Sequence, residues 1–242
     1  MTDSQGSARE RETQDWYRRY HARLGEDRND LRTNPGVLFQ TLALEGSMVR
    51  ALAGLPLVPR GALVLDVGCG GGGDLYHLFR LGFRPGHVTG IDILRERIED
   101  ARELYPQSIF IQGDASAMEL GDGSFDLVFE STMFATLPDD ALCTRIAAEM
   151  VRVCKPGGHI LLVDWRTPKL GDPNYKALTR RRLGNLFGVG LSTRLCGVHR
   201  GALVPPLGRF LSARLPSVYF LVSALCPFLV GQVAYVLRKA NA

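Results

Sequence analysis

The apolar positions of this chain change their period along its length, and the changes mark its elements. Residues 63–67 are apolar except for Asp66, and the chain then runs Gly68-Cys69-Gly70-Gly71-Gly72-Gly73. A short apolar run closed by glycine predicts a buried strand and a tight turn. Glycine also lets a ligand approach bare backbone. Leu75, Leu78, Phe79 and Gly82 then recur at helical spacing, so a helix follows the turn. The alternation continues with strands at 88–91 (ending at Asp92), 109–112, 125–129 and 159–163. Helices fall between them, at 94–105 with Pro106 as its stop, and from Asp139 or Asp140 to a Pro156-Gly157-Gly158 end. Strands alternating with helices predict a parallel sheet covered on both faces. Ligands of such sheets sit beyond the C-terminal strand ends, and Asp66, Asp92, Asp114, Glu130 and Asp164 all fall there.

Outside this core the pattern is looser. Residues 1–14 are polar and predict a disordered tail. Residues 15–59 predict an N-terminal helical cap, with Trp16, Tyr17 and Tyr20 clustered, then Leu38, Leu42, Met48 and Leu52, and a break at Pro35-Gly36. The binding core is expected at 60–166. Residues 167–242 are expected to supply substrate-side helices and the last strands of the same domain. Residues 215–237 lack charge over a length that could span a bilayer. Pro216, Pro227, Gly231 and Gln232 interrupt them, so they read as a helix followed by a buried strand at 233–237.

Composition narrows the class. A chain of 242 residues, 45% hydrophobic and 22% charged, suits one soluble enzyme domain. A net charge of +4 is too mild to argue for nucleic acid, and suits an anionic substrate. Five cysteines without a CxxC spacing read as free thiols in a reducing compartment, with no zinc or other metal site. The start of the chain is polar through Arg28 and lacks the apolar stretch of a signal peptide, which points to the cytoplasm.

Gly68, Gly70 and Gly73 satisfy G-x-G-x-x-G, and Asp92 lies at a spacing suited to ribose hydroxyls. A dinucleotide is one ligand for that pattern. Asp66, two residues before Gly68, argues against it, because a carboxylate there repels pyrophosphate. S-adenosylmethionine has no phosphate and carries ammonium and sulfonium charges that an acid favours.

The run Val64-Leu65-Asp66-Val67-Gly68-Cys69-Gly70-Gly71-Gly72 resembles the first motif of class I S-adenosylmethionine-dependent methyltransferases. Gly90-Ile91-Asp92, Gly113-Asp114-Ala115, Ser124-Phe125-Asp126-Leu127-Val128 and Arg152-Val153-Cys154-Lys155-Pro156-Gly157-Gly158 resemble its later motifs, in order. The resemblance implies a single Rossmann-like α/β domain with a mostly parallel seven-stranded sheet. It also implies S-adenosylmethionine as cofactor. Asp66, Gly68, Cys69 and Gly70 would then lie by the methionine part. Asp92 and Ile93 would lie by the ribose, Asp114 and Ala115 by the adenine, and Glu130 and Ser131 by the sulfonium end.

The acceptor is less defined. Phe129-Glu130-Ser131-Thr132-Met133-Phe134 lacks the Asn/Asp-Pro-Pro-Tyr motif of enzymes that methylate base or glutamine nitrogens, which disfavours DNA. Arg28-Asn29-Asp30, the 34–40 segment and Asp164-Trp165-Arg166 resemble methyltransferases of bacterial polysaccharide and glycoconjugate assembly. That implies O-methylation of a saccharide, with Arg166, Arg180 and Arg181 holding an anionic handle. The candidate bases are His21, Asp164 and His199. Two alternatives stay open: a lipophilic ring acceptor such as a quinone or polyketide, with peripheral membrane contact, and a non-catalytic module that binds the cofactor for a partner. Oligomeric state is undetermined.

Overall fold

The computed structural model describes Asp15 and residues 30–137, 139–169 and 175–241. The aromatic cluster at Trp16 to Tyr20, the polar tail and His21 lie outside the described residues.

Among the described residues one seven-stranded sheet runs β3-β2-β1-β4-β5-β7-β6. Its strands are β1 (Val64–Val67), β2 (Val88–Asp92), β3 (Ile109–Gln112), β4 (Phe125–Ser131), β5 (Cys154–Trp165), β6 (Thr193–Arg200) and β7 (Gln232–Lys239). The pairs β1–β2, β1–β4, β2–β3 and β4–β5 are parallel, while β7 runs antiparallel to both β5 and β6. β1 is buried at all four positions because helices cover both of its faces. On one face Val64, Leu127, Phe129 and Leu161 pack with Met48 and Ala51 of α1 (Leu38–Ala53), Leu75 and Leu78 of α2 (Leu75–Arg80), and Ile98 and Ala101 of α3 (Arg95–Leu104). On the other face Leu65, Val128, Ile160 and Leu162 meet Ile146 and Met150 of α4 (Asp140–Val153) and Leu183 and Phe187 of α5 (Arg180–Phe187). Leu211 of α6 (Pro205–Arg214) and Tyr219 of α7 (Pro216–Leu225) belong to that second face.

The fold matches the expected architecture, with instructive departures. β5 starts at Cys154, five residues before the expected strand. Gly157 takes φ +73°, and the register shift between Phe125 and Leu127 lets the Lys-Pro-Gly-Gly turn bulge within the ladder. β6 is one of the last strands expected within 167–242, at a position the sequence pattern does not mark. It is an edge strand, partly exposed, and Arg194, Gly197 and Arg200 mask its alternation. The 215–237 segment divides as read, into α7 and the inner strand β7. No helix among the described residues is long and apolar enough to cross a membrane.

Leu65 sits at the centre of β1, fully buried between the two layers. Leu65→Ala should cost about 2–5 kcal/mol in urea denaturation, the range for large-to-small changes in a close-packed core. An unchanged midpoint would contradict this placement.

Candidate active site

The glycine turn is built from backbone strain and one acid. Gly68, Gly70 and Gly72 take φ of +71°, +51° and +78°, which only glycine adopts without cost. The Gly68 and Cys69 amides both donate to the Ile91 carbonyl, tying the turn to β2. Asp92 ties it a second time. One carboxylate oxygen accepts from the Gly70 amide at 2.9 Å and the other from the Leu94 amide at 2.9 Å. Each oxygen keeps a further acceptor site, so Asp92 can still receive hydroxyls. Burial raises its pKa, and those same amides oppose the rise. A Cβ on Gly70 would meet nothing within 4 Å, so the backbone there faces open space.

Asp66 differs from its neighbours. It is 2% exposed, and its carboxylate accepts no hydrogen bond among the described residues. Burial raises its pKa well above the usual carboxylate range, and Asp74 and Asp92 push it further. Three acids, Asp66, Asp74 and Asp92, thus surround one glycine turn, with Arg97 the nearby cation acting on Asp92.

A second group of acids shapes the loop after β4. Glu130 is fully buried. Its Oε2 accepts from the Met133 amide at 3.0 Å, while its Oε1 is buried without a partner. Asp164, also fully buried, accepts from the Ala135 amide at 2.9 Å and from the Trp165 amide at 2.7 Å. Arg182 holds the other end, donating to the Phe134 carbonyl at 2.9 Å and the Lys176 carbonyl at 2.6 Å, and pairing with Asp140 at 3.0 Å. Thr132 enters the loop at φ +63°, a strained state for a β-branched residue, and Met133 lies against Gly68. Burial raises the pKa of both acids, that of Asp164 to about 7, and Asp164 adds a like-charge push on Glu130.

The structure thus gathers Asp66, Gly68, Gly70, Asp92, Ile93, Glu130 and Ser131 at the C-terminal ends of β1, β2 and β4. Asp114 and Ala115 follow β3 on the same rim, where Asp114 accepts from the Ser116 amide at 2.8 Å. Cys69 offers only its backbone, since its thiol is packed against Gly90 and burial drives its pKa up.

Three of the expected site residues are placed differently from the others. His199 lies on β6, opposite Ala234 and folded back over Gly197, with Arg50 the nearby charge, so it is two strands from β5 and outside the cleft. Burial lowers its pKa, and the Arg50 charge adds to this. The Arg166 guanidinium donates to the Val230 and Pro227 carbonyls and is not a free anion handle. Asp164 is fully buried and each of its oxygens accepts from a backbone amide, so the structure shows it bracing the loop. Arg180 and Arg181 remain exposed at the start of α5. The loop-bracing role of Arg182 was missed, because only the folded loop brings residues 134 and 137 to its fork.

The acids have a thermodynamic signature. The folded pKa of Asp66 lies above the ordinary 3.8, so the native state keeps a proton that the unfolded chain releases. Stability therefore falls as pH rises above about 4. Asp66→Asn should raise the urea midpoint at pH 8 and flatten its fall between pH 4 and 8. A lower midpoint at pH 8 would show that the charge stabilises the ligand-free fold.

A family model described as a methyltransferase domain matches residues 60–182. Among curated proteins, 2-methyl-6-phytyl-1,4-hydroquinone methyltransferase of Synechocystis is 41% identical over 116 residues, which are 46% of this chain and 35% of that one. Demethylmenaquinone methyltransferase of Bacillus licheniformis is 31% identical over 116 residues, 47% of this chain and 49% of that one. The matched segments thus span less than half the length of these relatives. Among solved structures, a SAM-dependent methyltransferase of Methanosarcina mazei superposes with a TM-score of 0.56 at 20% identity, over 78% of this chain and 100% of that one, which is a likeness of fold. Half of the chain, including the whole glycine turn and the acid rim, lies within the family match, and the chain belongs to the methyltransferase-domain family, the class I S-adenosylmethionine-dependent methyltransferases.

Proposed function

We propose that this chain is an enzyme that transfers a methyl group from S-adenosylmethionine to a lipophilic acceptor of the quinol or phenol type. The observation that carries the cofactor half is Asp66, a buried carboxylate with no hydrogen-bond donor among the described residues, flanked by Asp74 and Asp92. A buried acid of this kind gains most from a cationic ligand, and an ammonium or sulfonium supplies that charge. Asp66 would hold the cationic amino-acid end, the bare backbone at Gly68 and Gly70 would pass beside it, and Asp92 would accept the ribose hydroxyls. Asp114 would take the adenine side.

The bound cofactor supplies an electrophilic methyl. Transfer would exchange the methyl's bond to sulfur for one to the acceptor, leaving a neutral thioether and one acceptor proton to be released. The chain's part is positioning. Glu130, Asp164 and Arg182 hold the loop after β4 rigid beside the seat, and Met133 and Phe134 give it an apolar character.

The acceptor half rests on relatives. Two relatives matched over the core are named for a phytyl hydroquinone and for demethylmenaquinone, and further relatives for fatty acids and sterols. Each of these is a lipid. Support for a saccharide handle has narrowed, because two of the arginines that follow β5, Arg166 and Arg182, are bonded to backbone carbonyls.

Two measurements test the reading. Calorimetry should show S-adenosylmethionine binding to the wild-type chain, with affinity at least ~10-fold lower for Asp92→Ala, about 1.4 kcal/mol. No binding by folded wild type would remove the cofactor assignment. Methyl-labelled cofactor offered with a prenylated quinol in detergent, and separately with nucleotide sugars, should label the quinol. Label in a saccharide alone would overturn the acceptor, and binding without any product would mark a non-catalytic module.

A further inference from the structure

We infer that the helix pair α6–α7 is a docking surface for an anionic lipid bilayer, set on the ligand rim of the sheet. The position follows from register. Arg200 of β6 pairs with Val233, and Trp165 of β5 with Gln232. The chain between β6 and β7, which holds both helices, therefore lies at the end of the sheet where β1, β2 and β4 deliver their acids.

The surface itself is unusual for a water-facing helix. Positions 217, 220, 221, 224, 225 and 228 recur at helical spacing and are all exposed, and all but Ser217 are apolar. Leu225 and Phe228 are 72% and 73% exposed. The opposite side of α7 is apolar too, and there buried Tyr219 donates to Gln40 at 2.7 Å and accepts from the Leu203 amide at 3.2 Å. A helix that is apolar all round needs cover on both sides. Phe210 and Leu215 extend the patch, and Phe39 of α1, against Phe220 at 5.5 Å, brings exposed Leu38 and Leu42 beside it.

Charge selects the cover. From Pro173 to Ala242 the chain has no Asp or Glu and ten Lys or Arg. Arg180, Arg181, Arg200 and Arg214 are exposed. Apolar side chains on an acid-free segment, with Arg214 on α6 itself and Arg200 at the strand end before it, suit a helix that lies in the interface of an anionic membrane. A second copy of the same face would bring like charges together, which disfavours self-association. α7 has ten residues, about 15 Å of helix, so it lies on the bilayer and does not cross it. Arg166 fastens the turn at Pro227–Leu229 to the end of β5, so the surface is rigid with respect to Asp164 and the cleft.

The inference goes beyond the acceptor assignment, and vesicle binding tests it without turnover. The full chain should co-sediment with vesicles of phosphatidylglycerol and phosphatidylcholine, at least tenfold more than with phosphatidylcholine alone, and high salt should reduce the bound fraction. The pair Leu221→Glu and Leu225→Glu should abolish sedimentation while leaving the thermal melt and calorimetric cofactor affinity unchanged. Arg214→Glu should weaken binding to anionic vesicles alone. Wild type left in the supernatant would overturn the inference, whether residues 1–29 or another protein covers the face. Equal binding to both vesicle types, or a dimer in sedimentation velocity that the double variant dissolves, would also overturn it.

Discussion

A carboxylate buried at the end of β1, with no donor to meet it among the described residues, is the constraint on which the site depends. Folding alone gives no reason to keep Asp66 there, since desolvation opposes its charge and Asp74 and Asp92 oppose it again. The surrounding architecture supplies the compensation. β1 is paired on both sides and packed on both faces, so it can carry one unfavourable residue without losing its register. The left-handed glycines then hold backbone beside the acid where side chains would fill the space. Strain and desolvation are both concentrated at one turn, and a cationic ligand relieves them together.

The acids further along the rim act differently, although in sequence they look alike. Asp92 links two backbone segments while keeping acceptor capacity, so one side chain can shape the turn and receive a ligand. Glu130 and Asp164 turn inward and brace the loop after β4, which the strained Thr132 aims back at Gly68. The loop that would face an acceptor is thus built on the same buried acids that a simple reading would make catalytic. Arg166 repeats the pattern, since its fork joins the end of β5 to the turn before β7. The rim is a connected frame, with the cleft on one side and the α6–α7 surface on the other.

Much of this was legible before the fold was known. Strands buried on both faces write themselves as apolar runs, and β1, β2 and β4 fell within two residues of expectation for that reason, while the edge strand β3 was legible from its Ile109-Phe110-Ile111 run. Asp66 and the glycines were legible because their chemistry is local: an acid two residues before a glycine turn excludes pyrophosphate on charge alone. The position of β6 was not legible, since Arg194, Gly197 and Arg200 break its apolar run. The roles of Asp164, Arg166, Arg182 and His199 depend on which carbonyls and amides the loops bring near them, which no spacing along the chain encodes. The outer face of α7 was visible only as part of an apolar segment. That its second side would stay exposed follows from the placement of β7 inside the sheet.

The central claim is that the buried acids at the glycine turn are held partly protonated until a cation arrives. Calorimetry of S-adenosylmethionine binding near pH 6, repeated in buffers of different ionisation enthalpy, counts the protons exchanged. Because a cation favours the charged form of Asp66 and Asp92, binding should release protons and tighten as pH rises, and Asp66→Asn should reduce the release. Binding with no proton release and an affinity indifferent to pH would contradict the account.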